Sequence, residues 1–278
     1  MRENRNFLLL APAKVNLHLA VGQAREDGYH PISSIFQKTS LKDTISLNVI
    51  PDEESKTYVV GLENYVERGK STIDKAIKLW REFTGLKDTI LVNVTKNIPV
   101  QSGLGGGSSD AASVLLALNR TTEGTSSHLS DEEMNKLGME VGCDVPFFLS
   151  KCNAATVFGL GEEVHPLEAR DDLRGYIIIP NGEKISTKAA YGALNERKTI
   201  QLLESRKFLA EEYKKPITAW RFRNDFELVN KRPNIKVLPN ERLFLTGSGS
   251  AWVLLTNRCL RELDLGYSYY THSIQFLS

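Results

Sequence analysis

The chain has 278 residues, 41% hydrophobic and 25% charged, and its 35 Lys+Arg against 34 Asp+Glu leave a formal charge of +1. This is the composition of an ordinary soluble globular protein, and it excludes a disordered chain, a collagen and a cysteine scaffold. The near-neutral balance argues against a dedicated nucleic-acid binder, which carries a basic excess, and a chain this long buries roughly three quarters of its unfolded surface without a disulfide or a metal.

Arg2 and Arg5 ahead of residues 7–11 imitate a secretory signal, but the apolar run is short and Pro12 and Lys14 end it. No apolar run approaches the ~20 residues of a membrane span. Residues 8–21 read as a strand, with Ala13, Val15, Leu17 and Leu19 alternating with Lys14, Asn16 and His18. Residues 44–49 alternate more cleanly, and residues 89–94 form a further strand candidate. Between them Ile73, Ala76, Ile77 and Trp80 fall at helical spacing. Ser130 and Glu133 are spaced as a capping box that opens a helix through Met134, Leu137 and Val141. The charged stretch at residues 167–174 suggests a boundary, dividing the chain into a first domain at 1–165 and a second at 166–278. Beyond it, residues 176–179 read as a strand and residues 196–215 as a charged helical stretch with a solvated face. Two apolar strands at 243–245 and 252–255 flank Thr246-Gly247-Ser248-Gly249-Ser250. Strands and helices mixed in both halves predict an α+β protein. Cys143, Cys152 and Cys259 are odd in number and lack metal-site spacing, which fits a reduced, cytoplasmic setting.

The strongest local signal lies in the middle of the chain: Pro99-Val100-Gln101-Ser102-Gly103-Leu104-Gly105-Gly106-Gly107-Ser108-Ser109-Asp110. Glycines let backbone N–H groups approach an anion with no Cβ in the way. A helix start adds free N–H donors and partial positive charge. Ala111, Val114, Leu115 and Leu118 supply the apolar face of that helix, so the segment reads as a phosphate cradle. The bland alternative is a flexible turn followed by a serine N-cap. No lysine follows the glycines as a P-loop requires, and Ser108 stands where a Rossmann loop needs its third glycine.

Three ordered segments resemble the GHMP kinases, the family of galactokinase, homoserine kinase, mevalonate kinase and phosphomevalonate kinase. They are Ala11-Pro12-Ala13-Lys14-Val15-Asn16-Leu17, the glycine loop, and Leu245-Thr246-Gly247-Ser248-Gly249-Ser250-Ala251. Asp27-Gly28-Tyr29-His30, Gly142-Cys143-Asp144-Val145-Pro146 and Arg223-Asn224-Asp225-Phe226-Glu227 resemble the branch whose acceptor is CDP-methylerythritol, phosphorylated on its 2-hydroxyl in isoprenoid precursor biosynthesis. The resemblance implies a two-domain GHMP kinase fold with the active site in the cleft between domains. It also implies ATP as the phosphoryl donor with Mg²⁺ carried mainly by the nucleotide, no protein metal cage, no nucleic-acid or membrane partner, and a monomer or weak homodimer. The chain departs from the family pattern at Ser71, where many relatives have an asparagine near the adenine, and at Leu160, where many carry a basic residue.

Carried over position by position, the resemblance makes Asp144 the base and Lys14 its partner, acting either electrostatically or in proton transfer. Pro99, Gly103, Leu104, Gly105, Gly106, Gly107, Ser108 and Ser109 would hold the nucleotide, with the two serines donating to phosphate. Asn16, Tyr29, His30 and Phe36 would line the acceptor site, joined by Thr187 and Tyr191 from the second domain. Tyr191 is equally readable as a core residue. The turn at 246–250 is readable as a plain hairpin turn, and by resemblance it supports the glycine loop.

Overall fold

A computed structural model describes residues 3–181, 186–196, 202–263 and 269–278. In chain order the elements are β1 (Arg5–Val21), β2 (Ile32–Pro51), β3 (Thr57–Val60), α1 (Thr72–Thr84), β4 (Asp88–Thr95), α2 (Gly106–Arg120), α3 (Asp131–Val141) and α4 (Val145–Leu149). There follow β5 (Ala154–Gly159), β6 (Glu163–Leu167), β7 (Arg174–Pro180), α5 (Thr187–Glu196), α6 (Arg206–Tyr213), β8 (Arg242–Leu245), β9 (Trp252–Leu255) and β10 (Tyr269–Gln275). Contacts group them into two compact units, the first holding residues 1–13, 42–100 and 105–151, the second residues 14–41, 101–104 and 152–278. The grouping differs from a single cut after residue 165, because β1 and β2 each run from one unit into the other.

In the first unit β4 pairs antiparallel with residues 44–51 of β2 and parallel with β3. The alternation read from the sequence is the burial pattern: Ile45, Leu47 and Val49, with Ile90, Val92 and Val94, are all buried. The helices pack on one another, α1 against α2 and α3, and α4 against α2 and α3. Ile73, Ala76, Ile77 and Trp80 are fully buried, as their helical spacing requires. Helix α1 opens on Ser71, whose hydroxyl accepts from the Asp74 N–H while the Asp74 carboxylate accepts from the Ser71 N–H at 3.0 Å. Helix α3 opens on the capping box expected at Ser130 and Glu133. We expect Ser71→Ala to cost about 1 kcal/mol in urea unfolding, the usual worth of an N-cap.

In the second unit an antiparallel sheet runs in the order β10-β7-β9-β8. Residues 32–37 of β2 pair with β5, and β5 pairs with β6. These first residues of β2 are longer than the sequence pattern suggests because residues 32–39 are buried throughout, which erases alternation. Of the charged stretch at 196–215, residues 197–201 lie outside the described residues, and residues 206–213 form α6 behind the N-cap Ser205. Residues 269–275 form β10, and beyond it the Leu277 N–H donates to the Lys38 carbonyl at 3.1 Å. No helix among the described residues is long and apolar enough to cross a membrane.

Candidate active site

The residues singled out in the sequence fall partly in the first unit and partly in the second. In the first unit the glycine loop runs into α2 earlier than the sequence suggests. Gly105 is the N-cap, in the left-handed region at φ 70, and Gly106 and Gly107 already belong to the helix. The first intrahelical bond is donated by the Ser109 N–H to the Gly105 carbonyl at 2.9 Å. The N–H groups of Gly106, Gly107 and Ser108 therefore have no intrahelical acceptor, which is what an anion-binding helix start offers. Side chains at these two positions would be tightly crowded by their neighbours. A Cβ on Gly106 would lie 3.0 Å from Ile98 Cγ2, and one on Gly107 would lie 3.1 Å from Thr72 Oγ1. The Thr72 hydroxyl donates to the Gly107 carbonyl at 2.8 Å, pinning the start of α1 to the start of α2.

The two serines are placed differently from the expectation that both donate to phosphate. Ser108 is half-buried, and its hydroxyl lies 3.9 Å from where a Cβ on Gly142 would sit. Ser109 is 1% exposed and its hydroxyl is buried, because the fourth position of the helix turns toward the interior. A shallow surface depression beside α1 is lined by Val59, Leu62, Val66, Ser71 and Asp74 among others. Ser71 is engaged by its capping box, donating to Asp74 Oδ2 at 2.5 Å, which accounts for what the residue does at the position where many relatives have asparagine.

Asp144 immediately precedes α4, with Val145 and Pro146 opening that helix. It is half-buried and its side chain makes no capping bond to α4. The backbone before it is braced by the Gly142 N–H donating to Gly138 and by Lys75 Nζ donating to the Val141 carbonyl at 3.3 Å.

In the second unit Lys14 and Asn16 project from the same side of β1 and are 3% and 2% exposed. Buried polar groups need partners, and these have them. Lys14 Nζ donates to Asn16 Oδ1 at 2.7 Å and lies 4.3 Å from the centroid of the Phe36 ring, a cation–π contact. Asn16 Nδ2 donates to Ser34 Oγ at 3.1 Å, and Asn16 Oδ1 also accepts from the Gly247 N–H at 3.1 Å. The Lys14 N–H donates to the Leu104 carbonyl at 3.0 Å. Lys14, Asn16, Phe36, Leu104 and the turn at 246–250 are thus brought together.

That turn is both a hairpin turn between β8 and β9 and a support for the glycine loop. A Cβ on Gly103 would lie 2.8 Å from the Thr246 carbonyl oxygen, and the Ala251 N–H donates to the Ser102 carbonyl at 3.3 Å. The turn is held by Asn224, whose Nδ2 donates to the carbonyls of Leu245 and Gly247, each at 2.9 Å. Asp225 accepts from the Val21 N–H at 2.8 Å, and Glu227 accepts from the Leu245 N–H at 3.0 Å. The segment that marked the resemblance at 223–227 is therefore a brace. Its signal in the sequence was only its string of hydrogen-bonding side chains.

His30, Tyr191 and Phe226 form an aromatic row. The ring centroids of His30 and Tyr191 are 5.1 Å apart, and Tyr191 meets Phe226 edge-on at 4.8 Å. The His30 Nδ1–H donates to the Gly22 carbonyl at 2.8 Å, so Nε2 is an acceptor, and it takes a bond from Asn195 Nδ2 at 3.3 Å. Tyr29 is 58% exposed and lies apart from that row in what it contacts, its N–H donating to Asp27 Oδ1 at 3.0 Å. Thr187 is exposed and accepts from the Ser248 hydroxyl at 3.0 Å. His18, the next residue along the polar side of β1, is fully buried and donates through Nε2 to Glu204 at 2.9 Å. Burial first, then the Arg223 guanidinium, hold it neutral.

A glycine-built helix start in the first unit and, in the second, a buried lysine beside two glycine turns are features of the class of the GHMP kinases. The family model for the GHMP kinases N terminal domain matches residues 64–151. The 4-diphosphocytidyl-2-C-methyl-D-erythritol kinase of Caldicellulosiruptor bescii is 38% identical over 187 residues, 67% of this chain and 63% of its own length. The chain thus spans under two thirds of that relative. The enzyme of the same name from Chlamydia trachomatis is 33% identical over 267 residues, 93% of this chain and 86% of its own. A crystal structure of 4-(cytidine 5'-diphospho)-2C-methyl-D-erythritol kinase superposes with a TM-score of 0.73 at 27% identity, covering 98% of this chain and 100% of that one. The chain belongs to the family of the 4-diphosphocytidyl-2-C-methyl-D-erythritol kinases.

Proposed function

We propose that the protein transfers the γ-phosphoryl group of ATP to the 2-hydroxyl of CDP-methylerythritol. The observation that carries this reading is the start of α2, where three consecutive N–H groups without intrahelical acceptors face outward from a glycine turn. The relatives' names supply the acceptor. In this account Gly105, Gly106, Gly107 and Ser108 receive the nucleotide phosphates, and the depression lined by Val59, Leu62 and Val66 takes the adenine. Magnesium fits as a ligand of the nucleotide: Ser108 offers one half-buried hydroxyl oxygen, and the remaining ligands come from phosphate and water. Held with the nucleotide near Ser108, such an ion would neutralise charge on the transferring phosphoryl group.

The acceptor hydroxyl oxygen bonds to the γ-phosphorus as the bond to the bridging oxygen breaks, and ADP leaves. The hydroxyl proton passes to the Asp144 carboxylate. Lys14, held by Asn16 and Phe36, supplies positive charge to the equatorial oxygens. His30 and Tyr191, with Tyr29 and Thr187, take the cytidine end. The protein works in the cytoplasm, as a monomer or weak homodimer with no nucleic-acid partner, a reading that the +1 net charge supports.

Two measurements test this. The first is ADP release with MgATP and equal concentrations of CDP-methylerythritol, mevalonate or homoserine. Turnover confined to the cytidine compound is the expected result, and preference for either plain alcohol removes the assignment of the acceptor. The second is Tyr191→Ala, which removes a stacking surface worth about 1–3 kcal/mol per base. KM for CDP-methylerythritol should rise by about tenfold or more while KM for ATP stays put, and an unchanged acceptor KM returns Tyr191 to the core.

A further inference from the structure

We propose that Asp43, Lys96 and Asp110 form a buried charge staple that clamps the two ends of the glycine loop, and that Asp43 and Lys96 are positioning residues for the nucleotide. The inference rests on the proposed binding of ATP phosphates at the start of α2. Residues 96–98 lead into the loop, and Asp110 stands just past it on α2. The Asp43 carboxylate grips the leading segment: Oδ1 accepts from the Asn97 N–H at 2.6 Å and the Ile98 N–H at 2.8 Å, and Oδ2 accepts from Lys96 Nζ. Lys96 Nζ then reaches across to Asp110 Oδ2 at 2.8 Å. The side chains of Asp43, Lys96 and Asp110 are only 0%, 8% and 3% exposed.

Burial makes such a network costly to break on one side, because it strands a desolvated charge. Its location says what it is for. A Cβ on Gly106 would lie 3.2 Å from Lys96 Nζ, so the ammonium group sits against the first residue of α2, whose N–H is one of the three open donors. The staple therefore fixes where those donors point, and it brings a positive charge up behind them. Burial, with the nearby Asp43 carboxylate, pushes the Asp110 carboxyl up to about 7 against the opposing pull of Lys96. In its protonated form the cluster holds one ammonium and one carboxylate, with no net negative charge behind a site for a polyanion. Asp110 Oδ1 is buried and has no hydrogen-bond partner among the described residues, so the site asks Asp110 for one acceptor toward Lys96 rather than for a full charge. An asparagine supplies that acceptor.

The test compares Lys96→Met, Asp43→Asn and Asp110→Asn in the full chain, by calorimetric titration with Mg-AMPPNP and by steady-state turnover. Lys96→Met and Asp43→Asn should weaken Mg-AMPPNP binding about tenfold or more and raise KM for ATP in step, with KM for the acceptor moving less than about twofold. Asp110→Asn should bind Mg-AMPPNP within about threefold of wild type. The comparison is read on whichever of the first two keeps wild-type near-ultraviolet dichroism. Unchanged nucleotide binding in a folded Lys96→Met or Asp43→Asn overturns the inference, as does an equal rise in both KM values. Loss of folding in both, with Asp110→Asn binding normally, also overturns it by making the staple purely structural. Wild type that binds Mg-AMPPNP but phosphorylates no CDP-methylerythritol overturns the acceptor assignment and leaves the binding comparison decisive for the staple. Wild type that binds no nucleotide overturns both.

Discussion

Asp144→Asn should lower kcat by about 10²–10⁴-fold while KM for ATP and for the acceptor stay within about threefold. The size follows from the role: a base that receives the acceptor's proton acts in the transition state and contributes little to ground-state binding. The split between kcat and KM is readable here because asparagine is nearly isosteric with aspartate and the residue is no N-cap donor or acceptor for α4. Asp144 has ordinary helical-region dihedrals, φ −86 and ψ −14, and its carboxylate does not cap α4. What holds this corner is backbone, with the Val145 N–H donating to the Gly142 carbonyl at 3.0 Å, and apolar packing of Phe147 and Leu149. Asparagine keeps the shape while removing the carboxylate's charge and its ability to accept a proton. Steady-state kinetics with calorimetric binding of both substrates checks the prediction. A kcat within tenfold of wild type would take Asp144 out of proton transfer and leave the glycine loop and Lys14 to carry the rate.

Gly247→Ala should destabilise the second unit by forcing apart its two glycine turns. Gly247 has φ 59, where an L side chain is already strained, and a Cβ there would lie 2.8 Å from both Cα and the carbonyl oxygen of Gly103. Gly103 has φ 80 and meets the other loop just as closely, so the two turns touch backbone to backbone. Neither can yield, because Asn224 and Asn16 both bond to Gly247. Overpacking of this kind costs typically 1–3 kcal/mol, and the left-handed backbone adds roughly 1 kcal/mol for a residue other than glycine. We expect a loss of about 2–4 kcal/mol in urea unfolding, from these two contributions together, and a matching loss of turnover as Gly103 and Leu104 are displaced. Gly124→Ala is the control: it shares a positive φ of 77 but has nothing within 4 Å, so it should cost only about 1 kcal/mol. Equal costs at the two positions would show that the turns part easily and that the second glycine motif does not support the first.

The sequence disclosed those parts of the fold whose residues face one way in and one way out. Ile45, Leu47 and Val49 alternate and are alternately buried, and α1 shows its apolar stripe through Ile73, Ala76, Ile77 and Trp80. It disclosed little of residues 32–39 or of β5, where burial on both faces leaves no period to read. The start of α2 was legible where a rare pattern marks it, in the glycines at 103–107, whereas Lys14 stood out only through the family resemblance of its segment. Asp43 and Lys96 were not legible. An aspartate and a lysine separated by more than fifty positions look like two solvated charges until β2 and β4 bring them together. Ser109 was misjudged for a related reason. Adjacent serines look equivalent in a sequence, but once the helix begins at Gly106, a rotation of about 100° per residue turns one outward and the next into the core.

The most direct test of the account is phosphorus NMR of the product formed from MgATP and CDP-methylerythritol. The account predicts one new monoester resonance, coupled to the carbon skeleton at the 2-position, appearing in step with ADP while the cytidine diphosphate signals persist unchanged. ADP appearing with inorganic phosphate and no new ester, or an ester at a different hydroxyl, would contradict it.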